Sequence, residues 1–369
     1  MPDKELKEIS EILNSVPIFL DSIEKENFEF QPVVTGLTKE GKNIRLGFST
    51  YGLKLYYMFG LWDSLSQKKK IEWCNYINSF QKNIRNLPNN SYVDLELFNF
   101  YKSVDIQEMI KDIVKDLIKI LSKKNFDTRN TKFKKAINAE TKQAIATLHQ
   151  VGFKNKEPIE DTFYNEVLLS NYLNSLDWSK PWTSGAQFAS LCVYTKTQQF
   201  NYEPVLLEFL EKIVDPETGS YFSQRPNHTR EVINGAMKII SGLDWIENEI
   251  QNPKNLIDFC LNNKPILEGC DVVDYIYVLY KCSKQTDYKK REILLLFNSL
   301  INEIKLLFNK SDYGFSYFKN KSQTHYYGVP ISKGLQTSDI HGTLLCSWAL
   351  MMILDLNEQL DPNYKIIKP

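Results

Sequence analysis

The chain has 369 residues, 43% of them hydrophobic, and its 45 Lys+Arg balance 45 Asp+Glu to a formal net charge of zero. This length and apolar content fit one large helical domain with a sizeable core. A neutral chain with interspersed charges shows no electrostatic footprint for nucleic acid, which usually needs a basic face. The longest apolar stretch, residues 348–354, is far too short to cross a bilayer, and the charged start over residues 1–9 has no apolar signal segment.

Residues 3–15 place Leu6, Ile9, Ile12 and Leu13 on one face and predict an amphipathic helix. Residues 28–45 are less regular, and 33–37 reads as a short strand or a lead-in. Residues 47–61 are apolar nearly all round, as a buried helix is. Amphipathic helices are predicted over 67–83 and 104–121, followed by a basic linker over 123–135. A second buried helix over 134–151 closes at Gly152, a C′ glycine. Outer and inner helices then alternate. The outer ones are 157–176, 203–213, 253–261 (with Pro253 in its first turn) and 288–308. The inner ones are 183–195, 229–241 (ended by Gly242), 269–282 and 338–354. The β content is minimal. Residues 1–44 read as an N-terminal helix and lead-in, and 45–369 as one helical domain.

Two turns match. Asp215-Pro216-Glu217-Thr218-Gly219-Ser220-Tyr221-Phe222 and Ser311-Asp312-Tyr313-Gly314-Phe315-Ser316-Tyr317-Phe318 each precede an inner helix. Each joins an Asp, a Gly that permits positive φ, and aromatics. Ordinary tight turns would look the same, but their equivalent placement favours an internal repeat. Six buried helices alternating with amphipathic ones form the pattern of an all-α, (α/α)6-type toroid, in which the starts of the inner helices surround one cavity.

On these features the chain resembles the α/α-toroid superfamily over roughly residues 45–355. That superfamily includes polysaccharide lyases, glycoside hydrolases, sugar epimerases, terpene cyclases and protein prenyltransferase β-subunits. The Asp-x-x-x-Gly-Ser-Tyr-Phe turn is similar to those of toroid glycan enzymes and to the repeats of terpene cyclases. The segments Asn138–Gln143 and Pro181–Gln187 resemble those of bacterial proteins associated with surface-glycan biosynthesis. The resemblance implies carbohydrate chemistry in the cavity, with a small molecule or oligosaccharide as ligand; no cofactor is expected, with zinc as the alternative.

Candidate residues gather at the starts of the inner helices. His228, His325 and His341 would approach one end of the ring and could move protons near neutral pH, although surface or capping roles compete. Asp271 and Asp274, three apart, share a helix face, and Asp274 on a buried face needs a partner. Asp339, Glu140 and Glu231 stand at helix starts, where capping competes with catalysis. Arg230 and Arg45 suit a uronate carboxylate or a phosphate, or else an ion pair. Tyr326 and Tyr327 are further proton donors, and Trp182 and Gln187 are further ligand contacts. His149 reads as a packed histidine. Cys270, Asp271, Asp339 and His341 would make a zinc set like that of prenyltransferase β-subunits, but the spacing departs from theirs. The six Cys are scattered with no CxxC pair, several in apolar runs, so reduced core thiols and a cytoplasmic location are expected.

The absence of GxGxxG before a helix, a Walker A loop, a GxSxG elbow and HExxH excludes the nucleotide, serine-hydrolase and metalloprotease motifs. Three functions remain. A lyase, epimerase or hydrolase would act on an anionic saccharide, with Arg230 neutralising its carboxylate and His228, His325, Tyr326 or Tyr327 moving protons. In a hydrolase, Glu140 with Asp271 or Asp339 would form the carboxylate pair. An isoprenoid cyclase or prenyltransferase-like enzyme would use the aromatic content, 13% of the chain. A scaffold or glycan-binding toroid would do no chemistry. No membrane insertion and no nucleic-acid partner are expected.

Overall fold

The computed structural model of the protein describes residues 3–103 and 128–369. The helix predicted over 104–121 and the start of the predicted basic linker lie outside the described residues. The described residues are mostly helical. Three short antiparallel ribbons accompany the helices, pairing 81–82 with 91–92, 308–309 with 314–315 and 325–326 with 329–330.

Helix α1 spans Asp3–Ile23 and runs through Pro17, beyond its predicted end. Val16, Phe19, Leu20 and Ile23 are all buried there, and that packing outweighs the one backbone hydrogen bond proline removes. Helices α2 (Leu46–Met58), α3 (Leu61–Ser64), α4 (Gln67–Asn78) and α5 (Leu95–Lys102) follow. The periodicity did not predict α5. Helix α6 (Arg129–Gln150) begins earlier than expected because Thr128 caps it, its side chain accepting from the Thr131 amide at 3.2 Å. Gly152, at φ +82°, closes it with its amide on His149 O. Helix α7 (Glu166–Ser175) is shorter than its prediction, since Asn165 caps it through the Leu168 amide at 2.9 Å.

Helices α8 (Pro181–Gln198), α9 (Glu203–Ile213) and α10 (Thr229–Ile246) come next. Gly242 does not end α10. A Cβ there would fall 2.9 Å from Cys192 Sγ, and one on Gly235 would fall 2.5 Å from Pro181 Cβ. These glycines bring α8 and α10 into near backbone contact. Helices α11 (Pro253–Asn262), α12 (Cys270–Gln285), α13 (Lys290–Lys305) and α14 (Ile340–Leu356) complete the set.

The inner helices pack in sequence: α2 on α6, α6 on α8, α8 on α10, α10 on α12, α12 on α14, and α14 back on α2. The chain of neighbours thus returns to its start. Helix α4 packs outside α2, α9 outside α8, α11 and α13 outside α12, and α1 on α14. Residues Gly342 to Leu354 of α14 are all buried, as expected of a helix with neighbours on every side. One large apolar cluster runs from α1 to the C-terminal segment. A second, built on Leu169, Phe188, Phe209, Tyr221 and Leu243, fills the side formed by α7 to α10.

Both matched turns are hairpin-like. Asp215 accepts from the Thr218 amide and hydroxyl, and Ser220 Oγ donates to Val232 O in α10. In the second turn Asp312 accepts from the Ser338 amide, and the Phe315 amide donates to Thr343 Oγ1 in α14. Each turn pins the start of an inner helix. The opposite ends are crossed by residues 361–369: the Lys365 amide donates to Met58 O, Lys368 Nζ to Asp244 O and Trp245 Nε1 to Pro369 O.

Candidate functional site

The starts of α8, α10, α12, α14 and α2 meet through their side chains. Arg230 Nε donates to both oxygens of Asp271 at 2.8 and 2.7 Å, and Asn234 Nδ2 donates to the same carboxylate at 2.7 Å. The Arg230 guanidinium lies 4.8 Å from the Trp182 ring centroid. Its charge is therefore matched by Asp271, and about half of its side chain faces solvent. Cys270 Sγ is 3.1 Å from Tyr317 Oη, and the Tyr317 ring flanks His341, which stacks on Tyr51 at 4.8 Å.

Asp339 is a structural cap. Its Oδ1 accepts the Gly342 amide at 2.7 Å, and its Oδ2 accepts the Tyr317 and Gln323 amides at 2.7 and 3.0 Å. Burial pushes this carboxyl up to about 6, against the pull of those amides. Asp94 does the same work for α2, accepting the Arg45 and Leu46 amides. The Arg45 side chain itself turns outward to Glu29 at 3.4 Å. Glu140 is buried beside Tyr326, with one oxygen on the Asp94 amide at 3.4 Å and the other without a close hydrogen bond among the described residues. Burial, and then the Asp94 charge, raises its pKa well above the carboxylate range. Tyr326 packs over Gly47, where a Cβ would fall 2.1 Å from its hydroxyl.

Gln187 accepts from Asn138 at 2.9 Å and Tyr172 at 3.2 Å. His228 and His325 are exposed, His325 bonding only Thr324. Tyr327 is exposed with φ +44°, its carbonyl accepting from Tyr101. His149 is exposed rather than packed, edge-on to Trp245. The set Cys270, Asp271, Asp339 and His341 is occupied by the contacts above. Among the described residues no three His, Cys, Asp or Glu side chains are placed to hold a metal ion.

Deeper between the helices lies a group that periodicity did not single out. Lys54 from α2, Lys142 from α6 and Lys238 from α10 lie near enough to feel one another's charge, Lys54 and Lys238 also act on His341 of α14, and Lys238 reaches Asp274 of α12. Lys238 Nζ is 3.7 Å from Asp274 Oδ1. Neither Asp274 oxygen accepts a hydrogen bond, and His341 Nδ1 has no partner. Lys54 is 4% exposed. Burial lowers its pKa to about 8, with Lys238 adding repulsion. Lys142 falls well below the ordinary amine range through burial and the charges of Lys54 and Lys238. Burial, then Lys238 and Lys54, lowers His341 to about 3. Asp274 rises to about 6 by burial, against the pull of Lys238. A signal existed in the sequence: a lysine in the middle of an otherwise apolar helix, as in Gly52-Leu53-Lys54-Leu55, is out of place unless it faces something polar.

Two surface grooves, of about 230 and 520 Å³, lie at the other ends of the inner helices, beside Ser283–Lys290 and Phe59–Ser64. Neither gathers the unpartnered groups above. Compared with family models, curated proteins and solved structures, the chain matches none. Among the described residues no helix is long and apolar enough to cross a membrane.

Proposed function

We propose that this chain is an α/α toroid and that an anionic saccharide is bound and altered between the starts of its inner helices, by lyase, epimerase or hydrolase chemistry. One observation carries this reading. Among the described residues, buried polar atoms on three different inner helices lack hydrogen-bond partners: His341 Nδ1, both oxygens of Asp274 (with Lys238 Nζ at 3.7 Å), and Asn234 Oδ1. Such groups are costly to bury unless something binds them. Asp274, raised to about 6 by burial, is the group best matched to accept a proton from a carbon next to a carboxylate, with the neutral His341 imidazole as a hydrogen-bonding partner for the ligand. Arg230 and Trp182 stand at the mouth, where a sugar ring would stack and hydrogen-bond. The polar interior weighs against an isoprenoid ligand, which would require an apolar aromatic lining. A glycan-binding toroid without turnover would use the same contacts. Six free cysteines fit a reducing, cytoplasmic setting.

The test is a screen of uronate-containing oligosaccharides for cleavage or epimerised products. Wild-type turnover should fall by ~100-fold or more in His341→Ala and Asp274→Asn, with the fold retained. Full activity in both variants would remove these groups from the site, and no turnover with bound saccharide would leave a binding protein.

A further inference from the structure

The interior lysines have a charge problem. Lys54 and Lys142 make no hydrogen bond or ion pair within the described protein, and Lys238 reaches only Asp274 beyond hydrogen-bonding distance, at 3.7 Å, and the Met237 sulfur. Nearby carboxylates do not make up the balance. Asp271 is engaged by Arg230 and Asn234, and Asp339 by backbone amides. Asp274, facing Lys238, is the carboxylate left to balance three amines, since burial and the Asp94 charge raise Glu140 well above the carboxylate range. The amines come from three different helices, α2, α6 and α10, so convergence is not an accident of local spacing. Lys142 feels the charges of Lys54 and Lys238, Lys54 feels that of Lys238, and His341 feels those of Lys54 and Lys238. Lys142 and His341 are only partly buried and Lys238 keeps 25% exposure, so space for at least water-sized groups lies against them.

We propose that Lys54, Lys142 and Lys238 form a seat for the anionic group of the ligand, a phosphate or a carboxylate. Amines held this close give up their protons more readily than free lysines, and a polyvalent anion between them restores their charge. Lysines suit the role, because each offers three donors that turn toward a tetrahedral or planar anion. In the empty protein these amines repel one another, so the unliganded fold carries strain that binding relieves. The inference deepens the reading above and rests on its placing a ligand between the inner helices. It adds which end of that ligand enters first: the charged one, toward α2, α6 and α10, leaving the neutral ring near His341 and Trp182.

The experiment is thermal shift and calorimetric titration of the full chain with inorganic phosphate, glucose 6-phosphate, glucuronate and glucose. Wild type should be stabilised by at least one anionic probe and not by glucose; which of phosphate or glucuronate acts separates the two sources. Lys54→Met and Lys142→Met should weaken that probe by ~10-fold or more, while their unliganded Tm equals or exceeds that of wild type. Lys142→Gln serves if a Met variant misfolds. Binding unchanged in the variants, or no anionic probe bound by wild type, overturns the seat. Saccharide binding that ignores the lysines would leave the saccharide reading standing without it. Lysine-dependent binding of inorganic phosphate with no response to either sugar acid or sugar phosphate would keep the seat and sink that reading.

Discussion

At the residue scale, burial decides more than residue type. Asp271 and Asp274 lie three apart on one helix, yet Asp271 is matched by Arg230 while Asp274 faces Lys238. His341 is the clearest case for a pH experiment. Its folded pKa of about 3 lies below the ordinary 6.5. The folded protein therefore binds fewer protons than the unfolded chain across that window. Its contribution to stability is complete at neutral pH and is lost as pH falls. The rises at Asp274 and Asp339, to about 6, have the opposite sign. They are common to wild type and a His341→Gln variant and drop out of the comparison. Between pH 7 and pH 4 the wild-type Tm should therefore fall relative to the variant by ~3–4 °C, measured by calorimetry. A gap constant with pH would mean that His341 is freely hydrated.

At the element scale, the close approach of α8 and α10 is set by glycine. Replacing Gly235 by Ala gains helix propensity, ~1 kcal/mol. The new methyl would meet Pro181 Cβ at 2.5 Å, which requires the two helix backbones to part. Overpacking of this kind costs ~1–3 kcal/mol, so a net loss of up to ~2 kcal/mol is expected in urea unfolding. A stabilised variant would show the helices to be separable. The same pair explains a misplaced boundary. Gly242 looks like a helix stop in the sequence, and only the presence of Cys192 across the interface reveals it as a packing position. Pro17 misleads in the other direction, because burial of Phe19 and Leu20 carries α1 through it.

At the scale of the whole molecule, the two ends of the inner helices differ. The start end carries capped carboxylates and the unpartnered groups, and the far end is crossed by residues 361–369. Removing that segment uncovers Trp245 and takes away Ile367, which is 2% exposed. One buried isoleucine and one indole hydrogen bond amount to ~3 kcal/mol. The truncated chain should melt at least several degrees lower, with red-shifted tryptophan emission, while its response to anionic probes persists. Loss of that response would mean that the far end shapes the site.

The all-α character and the existence of the alternating buried helices were legible in the sequence, because a helix packed on all sides is apolar on all sides and needs no tertiary knowledge to detect. The starts of those helices as the place for polar groups were legible too, since Asp, Gly and aromatic turns precede them. What the sequence could not decide was pairing. Whether Arg230 waits for a ligand or binds Asp271, whether Asp339 titrates or caps, and whether three lysines 88 and 96 residues apart meet are questions of distance across helices, and distance across helices is set only when the core closes. Partner choice depends on which faces burial brings together, and that is a property of the folded whole.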